Sequence, residues 1–307
     1  MDIKIENLSK NYGPQKAVDN VSFNVKTGEI LGFLGPNGAG KTTTMKMITN
    51  YISVDQGDIT IGGKSIRNSG DQLRKHIGYL PEHNPLYLEM SVIDYLEFSA
   101  SLQGVPSHLV PERIRQMVKL CGLNKEKHKN IGELSKGYRQ RVGLAQAMIH
   151  DPEILILDEP TTGLDPNQIV EIRKLIKEIG KEKTVILSTH ILPEVEATCD
   201  RILIINNGAI VADGTAENLR KQAQGQELLH VVIEDGTNED INTALLELAS
   251  IASVEQNEEG KFEIQSKPEK SSKREVFKLC VERNWVLTEM TSYETKLEDI
   301  FRELTTN

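Results

Sequence analysis

The chain has 307 residues, 38% of them hydrophobic and 26% charged, with a formal net charge of −9; those are the proportions of a globular protein of one large domain or two unequal ones. No run approaches the roughly 18 apolar residues of a membrane-spanning helix, and the leading MDIKIENLSKNYG lacks the apolar stretch of a secretory leader. Cys121, Cys199 and Cys280 are too scattered for a disulfide framework or a zinc pattern, which points to reduced thiols and a cytoplasmic setting.

Residues 3–80 read as β-rich. Strands are expected at Ile3–Ile5, Val21–Val25, Ile30–Leu34 and Gly57–Ile61, the last ending in a glycine turn. After Ile30–Leu34 comes Gly35-Pro36-Asn37-Gly38-Ala39-Gly40-Lys41-Thr42, which fits G-x-x-x-x-G-K-[ST], and Thr43–Tyr51 reads as a helix. Strand, glycine loop and helix in that order form a phosphate cradle. The glycines let successive N–H groups converge on phosphate oxygens, and the helix start adds its dipole. Lys41 can reach the β- and γ-phosphates and the Thr42 hydroxyl can ligate Mg²⁺. A nucleoside triphosphate is the expected ligand.

From Val92 to Leu123 the apolar period becomes helical, with Pro106 and Pro111 expected to break the run, and 139–150 reads as a further helix. Ile154–Leu157 and Thr184–Ser188 are apolar without alternation, as in parallel strands buried on both faces, and Gln168–Gly180 supplies the helix between them. Alternation at Arg201–Ile205 leads to a turn at Asn206-Asn-Gly208. A Gln/Gly-rich linker is expected at 222–226. Beyond it a small α+β domain is expected, with strands near Leu228–Ile233, Lys261–Gln265 and Trp285–Leu287 and helices near Asn242–Ala252, Lys273–Arg283 and Lys296–Leu304. Residues 221–307 hold 10 Lys and Arg against 18 Asp and Glu, so the last part carries nearly all of the net charge and is ill suited to a phosphate backbone.

A triphosphate site also needs a metal ligand and a group that orients water. Asp158 and Glu159 close the Ile154–Leu157 run, where a buried acidic pair is costly unless a cation compensates it. Asp158 suits the Mg²⁺ shell, and Glu159 suits the role of general base. Ser188-Thr189-His190 closes the neighbouring run and brings His190 within reach of the γ-phosphate.

Over residues 1–220 the chain resembles the ATP-binding subunits of ABC transporters. Leu134-Ser-Lys-Gly-Tyr-Arg-Gln-Arg141 resembles the family signature, Gly163-Leu-Asp-Pro166 the D-loop, His190 the switch histidine, and Tyr12 the aromatic that stacks on adenine. The resemblance implies an α/β phosphate-loop cassette: a parallel or mixed sheet core, an antiparallel β subdomain and a helical subdomain over about 88–150. It implies an ATPase using ATP and Mg²⁺, with Gly35–Thr43 and Tyr12 on the nucleotide and Thr42, Asp158 and Glu82 around the metal. It also implies that Ser135 and Gly137 meet the nucleotide of a second subunit, and that a membrane permease docks near His83–Met90, where Leu86, Tyr87 and Leu88 are apolar. Two motifs depart from the family pattern. Glu82 stands where many members carry a Mg²⁺-contacting Gln, and Lys136 and Tyr138 replace a usual Gly and Gln. Both departures are similar to the ABC-2-type export subfamily, and Ile77–Tyr87 resembles the ATPase associated with bacterial gliding motility. A soluble ABC ATPase acting on ribosomes or nucleic acid is the alternative, but the 43–133 interval has no room for a long coiled coil and the tail is acidic. The implied protein is cytoplasmic, attached to the inner face of the membrane through its permease, and paired with a second cassette, most simply its own copy. Residues 221–307 read either as a structural or dimer-supporting domain or as a small-ligand sensor.

Overall fold

Short apolar runs separated by glycine loops build the first part of the chain as stacked sheets. The computed structural model describes residues 1–223, 227–258, 260–267, 270–293 and 297–305. The chain divides into two units, Met1–Thr215 and Ala216–Asn307.

The first unit begins with β1 (Ile3–Tyr12), β2 (Gln15–Val25), β3 (Ile30–Leu34), α1 (Lys41–Ile48), β4 (Gln56–Ile61), β5 (Lys64–Ser65), α2 (Ile66–Leu73) and β6 (Ile77–Leu80). A helical arm follows, α3 (Val92–Leu102), α4 (Val110–Leu120) and α5 (Lys136–Met148). The unit closes with β7 (Ile154–Asp158), α6 (Pro166–Gly180), β8 (Thr184–Thr189), α7 (Leu192–Thr198), β9 (Arg201–Asn206) and β10 (Ala209–Gly214). One sheet is antiparallel, in the order β2-β1-β4-β5; the other runs β10-β9-β3-β8-β7-β6. In the second sheet β9, β3, β8, β7 and β6 are parallel, and only β10 is antiparallel.

The parallel strands lack alternation because both of their faces are covered. Along β7, Ile154 and Ile156 enter the core shared with the antiparallel sheet and α1, while Leu155 and Leu157 enter the core shared with α5 and α6. Alternate side chains of one strand thus feed two cores, as in a sheet layered between other elements. The same layering corrects the alternation expected at Arg201–Ile205. Leu203 and Ile205 enter the core shared with the antiparallel sheet, and Ile202–Ile205 are all buried.

The 92–123 run is broken into two helices as expected, with Pro106 between α3 and α4 and Pro111 in the first turn of α4, where its missing N–H has no partner to lose. One helix start in this arm differs from expectation. The helix expected from 139 begins at Lys136, because the Ser135 hydroxyl accepts the Tyr138 N–H at 3.4 Å and caps it.

The second unit comprises α8 (Ala216–Ala223), β11 (Leu228–Glu234), α9 (Asn238–Leu246), β12 (Ile251–Glu258), β13 (Lys261–Ser266), α10 (Lys273–Arg283), β14 (Val286–Tyr293) and α11 (Leu297–Thr305). Of the expected linker, 222–223 end α8 and 224–226 lie outside the described residues, as does Lys296. The sheet order is β12-β13-β11-β14 with every pair antiparallel. This is a doubled βαβ of ferredoxin-like topology. Its core gathers Leu229, Val231, Ile233, Phe262 and Ile264 against Ile241, Leu245, Val276 and Leu279.

Candidate functional site

Register brings the site together. Leu34 of β3 lies beside Thr189 of β8, and Ser188 of β8 lies beside Asp158 of β7. Three strands therefore end in line, and the loops leaving them meet outside their carboxyl ends, where ligands bind in open α/β sheets.

The glycine loop follows β3 and opens α1. Gly40 has φ 104°, and a Cβ there would stand 2.3 Å from the Ala17 carbonyl oxygen, so both conformation and space demand glycine. Lys41 is buried and folds back over the loop, donating to Gly35 O at 2.8 Å and Pro36 O at 3.1 Å. Its Nζ also lies 3.4 Å from Glu159 Oε1.

Glu159 carries a backbone φ of 50°, in the left-handed region that a residue with a Cβ seldom occupies. Its N–H donates to Ser188 O at 3.0 Å. Thr162 Oγ1 donates to its Oε2 at 3.2 Å, and His190 Nδ1 lies 2.9 Å from the same oxygen. A carboxylate only accepts, so Nδ1 carries the proton in that contact. One buried carboxylate thus gathers a lysine, a histidine and a hydroxyl.

Asp158 is fully buried. Its Oδ1 accepts from Ser188 Oγ, and from Thr42 Oγ1 at 3.2 Å, while Oδ2 has no hydrogen-bond partner among the described residues. Burial pushes its carboxyl above the ordinary range; the Ser188 and Thr42 hydroxyls oppose that, and Glu82 and Glu159 add to it. A dry carboxylate with one orphaned oxygen, beside a threonine hydroxyl, is a hard-oxygen donor set of the kind that suits Mg²⁺. Among the described residues no group of three or more His, Cys, Asp or Glu forms a cage of its own.

Tyr12, Lys41, Thr42, Glu82, Glu159 and His190 line one cleft of about 630 Å³, together with Asn37, Gly38 and Thr43. Tyr12 is half exposed at its rim. Gly35 lies beneath the loop, where a Cβ would come within 2.4 Å of Ile205 O, and Ala39 is buried. Ser135 and Gly137 do not line this cleft. They open α5, where Ser135 is exposed and Gly137 packs against the Gln168 side chain of α6. A second cleft, of about 410 Å³, extends from Thr42 and Asp158 past Glu82 to Asn84, Tyr95 and Gln146. In the adjoining segment Tyr87 and Leu88 are exposed, whereas Leu86 packs on the core beneath the helical arm. Tyr87 meets Tyr95 and Phe98 edge-on, with ring centres 6.1 and 5.6 Å apart.

The sequence reading assigned no role to Ser188, Thr162 or Glu194. Glu194 is buried and accepts from Thr161 Oγ1 at 2.7 Å and Thr189 Oγ1 at 3.0 Å, which ties the loop after Asp158-Glu159 to the segment that carries His190. Hydroxyls beside the motif residues were the available signal, but pairing them with a carboxylate far along the chain requires the fold.

A model of the ABC transporter family matches residues 18–162. Bacillus subtilis (strain 168) has an uncharacterized ABC transporter ATP-binding protein, YxlF, 34% identical over 97% of this chain and 98% of its own length. The bacitracin transport ATP-binding protein BcrA of Bacillus licheniformis is 35% identical over 98% of this chain and 96% of its own. A solved ATP-binding subunit of an ABC transporter superposes with a TM-score of 0.66 at 31% identity, covering 73% of this chain and 94% of that one.

Proposed function

The chain belongs to the ATP-binding proteins of ABC transporters and is an ATPase, and from that premise we propose that it drives an export-type transporter by closing on ATP with a second cassette. The observation that carries the reading is the meeting of Lys41, Asp158, Glu159 and His190 at three aligned strand ends.

In this reading the triphosphate lies along Gly35–Thr43, with the adenine against Tyr12. Lys41 exchanges its backbone carbonyls and Glu159 for phosphate oxygens, a stronger charge-assisted pairing. That exchange leaves a Glu159 oxygen to accept the proton of the attacking water, while His190 holds the carboxylate in place and reaches the γ-phosphate. Thr42 and Asp158 would hold Mg²⁺, with Glu82 reaching its water shell; the ion supplies charge neutralisation at the β- and γ-phosphates. Ser135 and Gly137, which lie outside the cleft of their own chain, serve the nucleotide of the second copy.

No helix among the described residues is long and apolar enough to cross a membrane, so the transported molecule passes through a separate permease, which brings the cassette to the membrane. Its docking segment is His83–Met90, where Tyr87 and Leu88 are exposed beside the second cleft. The export direction rests on the ABC-2-type character of Glu82, Lys136 and Tyr138, and the gliding-motility resemblance on Ile77–Tyr87 alone.

Glu159→Gln is expected to lower phosphate release by at least about 10²-fold, the scale of general-base catalysis, and to accumulate an ATP-bound dimer in sedimentation. Normal turnover by that variant would remove Glu159 from the role of base. Purification of the tagged protein from solubilised membranes is expected to recover a multi-spanning permease that is lost when Tyr87 and Leu88 are replaced by Ser. Ribosomal proteins recovered in its place would move the function to the soluble branch of the family.

A further inference from the structure

The sheet of the second unit ends in two unlike edges. Along β12 the register breaks between Ile251 and Ser253 and again between Gln256 and Glu258, and Glu255 stands exposed. Breaks and charges of this kind keep an edge from pairing with another chain. β14, the opposite edge, is paired among the described residues with β11 alone. Its one irregularity leaves Thr288 as an extra residue, and Glu289–Tyr293 then run in unbroken register. No lysine, arginine or proline interrupts Val286–Tyr293, and Glu289, Thr291 and Ser292 are exposed.

The helix above that edge exposes two apolar side chains, Phe277 and Val281, among the charged Lys273, Arg274, Lys278, Glu282 and Arg283. α10 buries Val276, Leu279 and Cys280 against the sheet. Glu275 accepts from Ser250 N at 3.2 Å and Ser250 Oγ at 2.7 Å, and Ser250 directly precedes β12, so this flank of α10 faces the β12 side. Two residues on, about 200° around the helix, Phe277 lies on the opposite flank, and Val281 follows one turn later. These side chains are 57% and 61% exposed, and Val286 at the head of β14 is 47% exposed. Among the described residues, the outer edge of β14 and the exposed Phe277, Val281 and Val286 therefore share one side of the unit.

We propose that this side joins two copies of the chain, β14 pairing antiparallel with β14 of the copy about a two-fold axis through Thr291, with the two α10 helices alongside. A two-fold contact must be self-complementary. That axis sets Met290 opposite Ser292 and Glu289 opposite position 293, so no like charges face each other; an axis through Glu289 would oppose two carboxylates. Backbone hydrogen bonds come from the strands and apolar area from Phe277, Val281 and Val286. The contact is small beside the roughly 1,600 Å² of a standard stable interface. Its effect is to raise the effective concentration of one copy for the other. It needs no nucleotide and stands apart from the reading of the ATP site.

The test is sedimentation velocity on the full-length, nucleotide-free protein, combined with oxidation of a Thr291→Cys variant. Directly opposed residues of antiparallel strands have Cα atoms about 4.5–5.5 Å apart, within reach of a disulfide. The expected result is a monomer–dimer equilibrium with a dissociation constant on the order of 10 µM. Phe277→Glu with Val281→Glu should weaken it at least about tenfold at unchanged Tm, and Thr291→Cys should cross-link while Glu255→Cys on the β12 edge does not. A chain that stays monomeric with no Thr291→Cys cross-link overturns the proposal, as does a dimer cross-linked through Glu255→Cys. Loss of ATP-driven closure in Glu159→Gln with this equilibrium intact would count against the reading of the ATP site instead.

Discussion

The two units layer helices on sheets of similar strand count and use them in opposite ways. In the first, parallel strands bury both faces, and every residue of Ile154–Asp158 is hidden. Parallel strands all end at the same side, so loops distant in sequence converge there, and the buried charged residues Lys41, Asp158, Glu159 and Glu194 collect at that convergence. In the second, each strand reverses its neighbour and the ends scatter to both sides. Its buried polar residues among those described are Ser250, Ser266 and Ser272, with no buried charge. Buried charge without full compensation is costly to stability and is found where chemistry needs it. The contrast is in keeping with reaction in the first unit and with the association proposed for the second.

The most severe way to sharpen that contrast is Gly40→Ala. With φ at 104° and the Ala17 carbonyl in the way, the loop cannot keep its shape, and affinity for a fluorescent ATP analogue should fall by about 100-fold or more (each tenfold is about 1.4 kcal/mol). Retained affinity would show that the loop tolerates rearrangement. Next in size, Phe262→Ala empties the core of the second unit, where Phe262 is fully buried, and should cost about 3–5 kcal/mol there. Hydrogen exchange should rise through β11 and β13 while the KM for ATP holds within about twofold; a large change in KM would break the separation of roles.

The smallest effect concerns pH. Burial holds His150 below its ordinary imidazole value, with the Ile77 carbonyl at 3.2 Å from Nε2 opposing the shift. A depressed folded value means that the native state favours the neutral ring. Its contribution is complete above about pH 6.5 and is lost as pH falls from there through the folded value. His150→Gln should therefore flatten the decline of Tm between pH 7 and 5 by a few degrees, about 1 kcal/mol or less; an unchanged decline would assign it to other groups.

Much of the first unit was legible because its signals are local. Ile154–Leu157 and Thr184–Ser188 are short, apolar and free of alternation, and the glycine loop sits between a strand and a helix. What escaped depended on contacts remote in sequence. β12, with Glu255, Gln256 and Asn257, has little intrinsic strand preference, and pairing with β13 overrides it. The helix before it was placed too late: it starts at Asn238, after Thr237, whose hydroxyl accepts the Asp240 N–H at 3.2 Å, a cap visible in the sequence. In the site, the motif residues stood out by type and spacing, whereas the Thr161–Glu194–Thr189 bridge joins side chains that only the sheet brings together.

The backbone of Glu159 sets two selective pressures against each other. At φ 50° an ordinary side chain carries strain of about 1 kcal/mol, which glycine escapes and asparagine tolerates better. A library screened for yield or heat resistance should drift toward glycine or asparagine at this position and lose the carboxylate proposed as the base. A library screened for phosphate release should keep a residue its own main chain accommodates poorly. Thermal robustness and turnover therefore pull in opposite directions at position 159, and a hardened variant of this protein deserves to be checked for Glu159 before its silence is blamed on anything else.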